Sequence, residues 1–208
     1  EGAQGTFLDV DHGTYPFVTS SNTVSGNACA GTGLAPRDIH GVVGIAKAYI
    51  TRVGAGPFPT EMAGALEAEL RRLGGEFGAT TGRPRRCGWF DAPLVRHACR
   101  LNGVTALVLT KLDVLETFDN LLICTEYRGA SGVPGQPEAL EAVEPVYESM
   151  PGWNSPIRGA HRWADLPEAC RAYIARIEEL VGVPVVLIGT GPGRNETIAR
   201  GEQFRSLM

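Results

Sequence analysis

The stretch VTALVLTKLD, residues 104–113, decides how the rest of the chain is interpreted. Its first six residues are apolar or β-branched, which is typical of a buried strand, and a polar loop follows directly at residues 110–113. A second stretch of this kind, VPVVLIG at residues 183–189, leads into the glycine-rich loop TGPGR. Because ligands of open α/β sheets bind beyond the carboxyl ends of the strands, both loops lie where a site is expected.

Helical patterns separate the predicted strands. The predicted helices are residues 36–49, a segment capped by Thr60 and ended by Gly74, a segment capped by Asp91 and ended by Gly103, and residues 166–181. A further strand is expected at residues 121–127, and residues 129–137 are expected to form a polar turn. This alternation predicts an α/β fold with a largely parallel sheet flanked by helices and without an internal domain boundary.

Composition limits the class of protein. With 208 residues, 43% apolar and 20% charged, the chain suits one globular domain, and no apolar run is long enough to cross a membrane. The net charge of -4 argues against a nucleic-acid partner. The five cysteines are scattered, form no C-x-x-C pair and lie far from the histidines, so we expect buried thiols in a reducing cytoplasm rather than a metal site. Because the chain opens on Glu1 in a loop-like motif, we expect it to be part of a longer protein.

The loop after the first strand has the chemistry to read guanine. The carboxylate of Asp113 can accept two parallel hydrogen bonds from the N1–H and amino group of guanine, and adenine has no such donor pair. The aliphatic stem of Lys111 can lie along the face of the base. The sequence TKLD resembles the Asn-Lys-x-Asp loop of GTPases, with Thr110 in place of Asn. The alternative is that Asp113 only caps the short helix that follows.

The glycine-rich loop of residues 189–194 is a weaker signal. Its glycine amides can approach a planar base or a phosphate closely, but a glycine-rich turn after a strand is common. The loop matches neither the G-x-G-x-x-G nor the G-x-x-x-x-G-K-[ST] pattern, and no such phosphate loop occurs in the chain. The missing fingerprint and ribose-binding acid argue against a NAD-dependent enzyme.

The stretch GATTGRPRRCGWF, residues 78–90, is suited to an anion. Arg83 and Arg85 can each form forked bonds to a carboxylate or phosphate, and Pro84 between them restricts the backbone. Thr80 and Thr81 add hydroxyl donors, and Gly82 lets the backbone turn its amides inward. The alternative is a solvated basic loop.

The first 22 residues hold a further candidate, because the amide of Gln4 can bond to a purine edge. The small polar side chains that begin at Thr19 suit a phosphate. Ordinary turn chemistry is the alternative for this segment.

Seven stretches together occur in the order and approximate spacing of one known family: EGAQGTFLDVDHGTYPFVTSSN, GIAKAYITRVGAGPFPTE, EFGATTGRPRRCGW, LTKLDVL, PVYESMPGW, YIARIEEL and TGPGRNET. They resemble the C-terminal half of adenylosuccinate synthetase over residues 1–197. The resemblance implies that residues 1–208 are the C-terminal portion of a single domain, a half of a larger fold like that of P-loop NTPases.

The resemblance also implies an activity and a set of contacts. The family joins L-aspartate to IMP in a GTP- and Mg²⁺-dependent reaction that passes through 6-phosphoryl-IMP, and it acts as a homodimer. The IMP contacts would be Gln4, Thr19, Val53 and Arg83. The aspartate contacts would be Ala79, Thr80, Thr81, Gly82, Arg83, Pro84 and Arg85. The GTP contacts would be Arg85, Lys111, Leu112, Asp113, Gly189, Thr190 and Gly191.

Several parts of the family pattern have no counterpart in this sequence. The phosphate-binding loop, the catalytic Asp and His and the Mg²⁺ contacts belong to the family's N-terminal half, so we assign no catalytic residue or metal ligand here and expect this chain alone to be inactive. Gly189 and Gly193 replace a Ser and an Asp that are usual in the family, for which we expect a modest effect on GTP affinity. The alternative function is a non-catalytic purine-nucleotide-binding module.

Overall fold

The computed structural model describes residues 2–78 and 82–200. Its helices are α1 Asn27–Thr32, α2 Gly64–Gly74, α3 Ala92–Asn102, α4 Pro137–Glu141 and α5 Glu168–Val181. Its strands are β1 Val43–Lys47, β2 Ile50–Arg52, β3 Arg86–Gly88, β4 Phe90–Asp91, β5 Ala106–Thr110, β6 Asn120–Tyr127, β7 Pro145–Pro151, β8 Val185–Gly189 and β9 Thr197–Ala199. Short 3₁₀ turns lie at Thr6–Leu8, Pro36–Asp38, Leu112–Leu115 and Trp163–Asp165.

The main sheet has the strand order β1-β5-β8-β9. β1, β5 and β8 run parallel, and the short β9 is antiparallel to β8. A three-stranded sheet has the order β4-β6-β7, and β2 pairs with β3 in an antiparallel ribbon. The prediction of an α/β fold with a largely parallel sheet is confirmed, and the parallel strands carry the predicted loops at their carboxyl ends.

The core lies between the main sheet and its helices. The fully buried side chains include Leu109 of β5, Ile188 of β8, and Tyr173, Ile174 and Ile177 of α5. The apolar spacing of α5 therefore faces the sheet, as a core-facing helix requires. Four of the five cysteines are buried and Cys29 is partly exposed, and all five are free thiols. Within residues 2–78 and 82–200, no helix is long and apolar enough to span a membrane.

Two of the predicted helices end where expected. The side chain of Asp91 accepts a hydrogen bond of 3.0 Å from the Leu94 backbone amide, which is the predicted cap of α3. Gly103 closes that helix in the left-handed conformation with φ 61°, which a residue without Cβ adopts at no steric cost. α2 ends at Gly74 as predicted, but it begins at Gly64 after Ala63, and Thr60 lies buried upstream instead of capping it.

The helix predicted at residues 36–49 is wrong. The segment forms the strand β1, which pairs with β5 from Val43↔Ala106 to Lys47↔Thr110, and the chain then enters β2. β-branched residues occur at Val42, Val43 and Ile45, and the parallel ladder to β5 overrides their helical spacing. The strand β7 was also not predicted, although its residues pair with β6 along the whole strand.

Candidate functional site

The parallel ladder brings the two predicted nucleotide loops together. The Ala48 amide, just after β1, donates 2.8 Å to the Thr110 carbonyl at the end of β5. Leu109 is the register partner of Ile188, so the ends of β5 and β8 are level. A Cβ added at Gly189 would lie 3.5 Å from the Thr110 Cα. The loop of residues 110–113, called the Asp113 loop, therefore lies against the loop of residues 189–191, called the glycine loop.

The Asp113 loop is held rigidly by its backbone and by its neighbours. Lys111 adopts a left-handed conformation with φ 66°, and its Nζ donates 2.8 Å to the Gly74 carbonyl at the end of α2. Leu112 is buried. The side chain of Asp113 is 16% exposed and lies 3.9 Å from Nη2 of Arg158. Lys111 occupies the cap position of the 3₁₀ turn Leu112–Leu115, so Asp113 is not its cap.

The glycine loop is organised by Glu196, which sequence reasoning missed. The Glu196 carbonyl accepts 2.8 Å from the Thr190 amide, and its own amide donates 2.9 Å to the Gly193 carbonyl. A Cβ at Gly191 would lie 2.5 Å from the Glu196 carboxylate, so the turn closes tightly on that side chain. The hydroxyl of Thr190 is buried and has no hydrogen-bond partner within the described part of the chain. The sequence signal that could have indicated this role is an acidic residue three positions after Gly193.

The described residues of the predicted aspartate segment, Gly82 to Arg85, lie directly before β3. Of its residues, Ala79, Thr80 and Thr81 lie outside the described part. Gly82 has φ 63°, and its amide donates 2.8 Å to the Gly78 carbonyl. The Gly78 amide donates 2.8 Å to the Arg83 carbonyl, and Phe77 bridges Pro84. Residues 82–85, called the arginine segment, are therefore bonded back to residues 76–78.

Arg85 reaches a buried acid rather than open solvent. Its Nη1 donates 2.7 Å to Oε2 of Glu76, which is 0% exposed. The same carboxylate accepts 2.8 Å bonds from Nζ of Lys47 and a 2.6 Å bond from the Tyr49 hydroxyl. Burial alone would raise the pKa of Glu76, but the bonds from these three side chains hold the pKa below its ordinary value. Lys47, Tyr49, Glu76 and Arg85 are called the Glu76 cluster.

Arg86, the third arginine of the stretch 78–90, pairs with a different acid from Arg85. Arg86 is taken up by Glu61, with Nε donating 2.6 Å to Oε1, and its Nη1 donates 2.9 Å to the Gly56 carbonyl. It also lies over the ring of Phe58. Arg86 therefore serves the packing of the β2–β3 ribbon, and the prediction of anion contacts concerns Arg83 and Arg85 alone.

The β2–β3 ribbon brings Val53 to the arginine segment. Arg52 pairs with Arg86 at the end of the ladder, so Val53 and Arg85 are the next residues on the two strands. Nη2 of Arg52 also donates 2.9 Å to the Phe17 carbonyl, which ties the segment before Thr19 to the same ribbon. A predicted IMP contact and a predicted aspartate contact thus lie side by side.

Gln4 and Thr19 lie in one loop, residues 4–24, that is organised by Asp9. The buried Asp9 carboxylate accepts hydrogen bonds from four backbone amides and from the Asn22 side chain; the amides are those of Asp11, His12, Thr23 and Val24. Burial would raise the pKa of Asp9, but these backbone bonds hold it well below its ordinary value. The Thr19 amide donates 2.8 Å to the Leu8 carbonyl. Asp9 is a second organising acid that sequence reasoning missed.

The side chains of the described residues do not indicate a metal site. No group of three or more His, Cys, Asp or Glu side chains there is arranged to hold a metal ion. The charged groups at the strand ends are instead two lysines, two arginines and two carboxylates, which suit anionic and hydrogen-bonding ligands; they are Lys47, Lys111, Arg83, Arg85, Glu76 and Asp113.

The fold and these loops define an α/β protein whose candidate ligand site lies at the carboxyl ends of a parallel sheet. The chain belongs to the adenylosuccinate synthetase family, since the family model, described as adenylosuccinate synthetase, matches residues 1–198. The resemblance seen in the sequence is confirmed.

Relatives and solved structures agree with this membership. The chain is 61% identical over 208 residues to adenylosuccinate synthetase of Geobacter metallireducens, covering 98% of this chain and 48% of the relative. It is 56% identical over 212 residues to the protein of that name from Geobacter sulfurreducens, covering 100% and 49%. A solved structure of fully ligated adenylosuccinate synthetase from Plasmodium falciparum superposes with a TM-score of 0.92 at 41% identity, covering 97% of this chain and 49% of that one. The chain spans about half the length of the relatives it matches.

Proposed function

We propose that the protein to which this chain belongs is a GTP-dependent ligase that joins L-aspartate to IMP. The γ-phosphoryl group of GTP is transferred to O6 of IMP, which gives 6-phosphoryl-IMP and GDP. The aspartate amine then attacks C6 and displaces phosphate, which leaves adenylosuccinate. Residues 1–208 form the C-terminal portion of one domain and supply contacts to all three substrates.

One observation carries the proposal. The loop predicted for guanine and the segment predicted for aspartate come from distant parts of the sequence, and side chains of both bond to the end of α2 or to the acid just beyond it. The Asp113 loop touches the glycine loop, Lys111 reaches the end of α2, and Arg85 bonds to Glu76 two residues beyond α2. Val53 and Arg85 flank the last pair of the β2–β3 ladder, Arg52↔Arg86. A family resemblance in sequence order alone does not require this proximity.

Guanine recognition is assigned to the Asp113 loop and the glycine loop. Asp113 accepts the N1–H and amino protons of the base, since its carboxylate is partly exposed and its ion pair with Arg158 is as long as 3.9 Å. The aliphatic part of the Lys111 side chain packs along the face of the base, and the buried Leu112 anchors the loop in the core. Gly189, Thr190 and Gly191 close over the base through their backbone.

Binding of aspartate and IMP is assigned to the arginine segment and to Gln4, Thr19 and Val53. Arg83 and Arg85 bind carboxylate and phosphoryl oxygens, with Arg83 between aspartate and IMP. Gln4, Thr19 and Val53 bind IMP. Ala79, Thr80, Thr81, Gly82 and Pro84 complete the aspartate contacts. Electrostatic clamping and positioning of this kind supply much of the catalysis of phosphoryl transfer.

The groups that hold Mg²⁺ and the γ-phosphate are assigned to the half of the family's length that this chain does not span. Mg²⁺ supplies charge neutralisation on the transferred phosphoryl group when it is bound. The residues of this chain hold the base and the acceptor in place. We further propose a homodimer and a cytoplasmic location, as the family resemblance implies.

The test is an assay of two purified proteins, the complete protein and the 208-residue chain. We expect the complete protein to form adenylosuccinate from IMP, L-aspartate and GTP, with little product when ATP replaces GTP. We expect no product from the 208-residue chain. A complete protein that binds purine nucleotides but forms no product would instead be a non-catalytic binding module. Product from the 208 residues alone would contradict the placement of the catalytic groups.

A further inference from the structure

Glu76 is a buried acid to which the sequence patterns assigned no role. It lies between α2 and the arginine segment, and its side chain is 0% exposed. Three side chains from two other segments converge on its two oxygens: Lys47 at the end of β1, Tyr49 just beyond it, and Arg85. A buried charge without partners costs several kcal/mol, so an acid at this place requires the cations around it.

Glu76 holds Arg85 by both its backbone and its side chain. The Arg85 amide donates 2.9 Å to the Glu76 carbonyl, and Nη1 donates 2.7 Å to the carboxylate. Nη1 is the one guanidinium nitrogen of Arg85 that has a hydrogen-bond partner in the described residues. The side chain is 29% exposed. The guanidinium is therefore held at Nη1, while part of the side chain remains exposed to solvent.

The neighbouring helix leaves room for this arrangement. Gly74 is the last residue of α2, and a Cβ there would lie 2.3 Å from the Tyr49 hydroxyl oxygen and 3.1 Å from Cγ of Glu76. The carbonyl of Gly74 also receives the Lys111 ammonium. The same glycine thus borders both the Glu76 cluster and the Asp113 loop.

We propose that Glu76 is a positioning residue that presents Arg85 to the anionic substrates. This inference rests on the proposed function. Arginine has many side-chain rotamers, and an anchor that restricts them before binding lowers the entropy lost when a ligand is clamped. Lys47 and Tyr49 fix the anchor itself, so the orientation of Arg85 is set from β1 as well as from α2.

The experiment measures steady-state kinetics of the complete protein carrying Glu76→Gln. The amide keeps the shape of the side chain and removes the charge that holds Arg85. We expect KM for L-aspartate to rise about tenfold or more, because a charge-assisted hydrogen bond that orders Arg85 is lost. KM for IMP should change less than about twofold, since the loop that contains Gln4 and Thr19 is organised by Asp9 and not by Glu76.

Glu61→Gln is the matched control. Glu61 also pairs with an arginine of the stretch 78–90: its Oε1 accepts a 2.6 Å hydrogen bond from Nε of Arg86. That pair belongs to the packing of the β2–β3 ribbon and not to the proposed aspartate site. We expect its KM for L-aspartate to stay within about twofold of the wild type. An equal rise in both variants would mean that any lost ion pair loosens the ribbon, and it would overturn the role of Glu76.

A double-mutant cycle separates positioning from simple stabilisation. If Glu76 acts through Arg85, Glu76→Gln should have almost no further effect on KM in an Arg85→Ala background. The same tenfold factor in both backgrounds would overturn the proposal.

If Glu76→Gln does not fold, Tyr49→Phe keeps every charge and removes one hydrogen bond to Glu76. We expect this variant to raise KM for L-aspartate about threefold. An unchanged KM in that variant would also overturn the proposal.

The wild-type protein separates failure of this inference from failure of the proposed function. An active wild type with normal aspartate kinetics in Glu76→Gln contradicts only the positioning role. An inactive wild type contradicts the ligase assignment and, with it, this inference.

Discussion

The Asp113 loop and the arginine segment lie at the same end of the molecule, but they are held in different ways. The Asp113 loop follows a central parallel strand, and its shape comes from a buried Leu112 and a left-handed Lys111. Asp113 itself forms an ion pair of 3.9 Å with the mostly exposed Arg158. The arginine segment precedes a short ribbon strand, and Arg85 is bound at 2.7 Å to the buried Glu76.

The difference fits the ligands that we propose for each region. A neutral base can be read by one carboxylate placed at a strand end, because its partners are neutral N–H groups. A segment with several arginines repels itself, so it requires a fixed counter-charge before the substrate arrives. The chain supplies that charge from Glu76, at the junction of α2 and the arginine segment.

The largest effect is expected at Arg83. Arg83→Leu in the complete protein removes the proposed clamp on the aspartate carboxylate and leaves a buried anion without its partner. Truncation of such a partner costs about 4 kcal/mol, so kcat/KM for L-aspartate should fall roughly 1,000-fold. Steady-state kinetics at saturating GTP and IMP measure this effect.

Arg37→Leu is the control for that variant. The Arg37 side chain is 90% exposed and pairs only weakly with Asp38, at 3.9 Å. We expect normal kinetics for it. If Arg83→Leu also shows normal kinetics, the arginine segment is a solvated basic loop that binds no substrate carboxylate.

The next effect is expected at Asp113. Asp113→Asn loses two charge-assisted hydrogen bonds to guanine and turns an amide donor toward the donors of the base. We expect a loss of about 3 kcal/mol, or roughly 100-fold, in kcat/KM for GTP, together with weaker discrimination against ATP. The thermal midpoint should hardly move, since a 3.9 Å ion pair with the mostly exposed Arg158 contributes little to stability.

Asp38→Asn makes the same chemical change at an exposed 3₁₀ turn and should leave nucleotide preference intact. Unchanged preference in Asp113→Asn would remove the base-reading role. Equal losses for all purine triphosphates would indicate that Asp113 shapes the loop instead of reading the base.

The sequence predicted the regions that depend on local signals. Buried strands at residues 104–109 and 183–189 are marked by apolar runs, and α3 is marked by its Asp91 cap and its Gly103 end. Because parallel strands end at one edge, the meeting of the Asp113 loop and the glycine loop also followed from the pattern.

Features that depend on distant contacts were not predicted. β1 was assigned to a helix because its apolar spacing fits both structures, and only its ladder to β5 decides between them. Glu76 carries no local signal, because its role is defined by partners from other segments, such as Lys47. Asp9 has two partners nearby in sequence, but its bonds to Thr23 and Val24 depend on how the whole loop closes. Burial and charge pairing at long range are properties of the folded chain.

A smaller effect is expected at Gly74, which borders both regions. Alanine favours a helix over glycine by about 1 kcal/mol, so Gly74→Ala would stabilise α2 if the side chain had room. Its Cβ would instead lie 2.3 Å from the Tyr49 hydroxyl, and the forced shift should cost about 2 kcal/mol in the free energy of unfolding. Gly31→Ala in α1, where a Cβ meets nothing within 4 Å, is the control in urea unfolding. Stabilisation by Gly74→Ala would show that the Glu76 cluster tolerates repacking.

The smallest effect is expected in the glycine loop, where two neighbouring glycines should respond differently. A Cβ at Gly189 meets ordinary contacts, the nearest at 3.5 Å, so Gly189→Ser should change KM for GTP by less than about threefold. At Gly191 the Cβ would lie 2.5 Å from the Glu196 carboxylate, which must move away from the turn it organises. Gly191→Ala should therefore raise KM for GTP by about threefold to tenfold. Equal responses at the two positions would mean that Glu196 is free to move and that the glycine loop is less rigid than the Asp113 loop beside it.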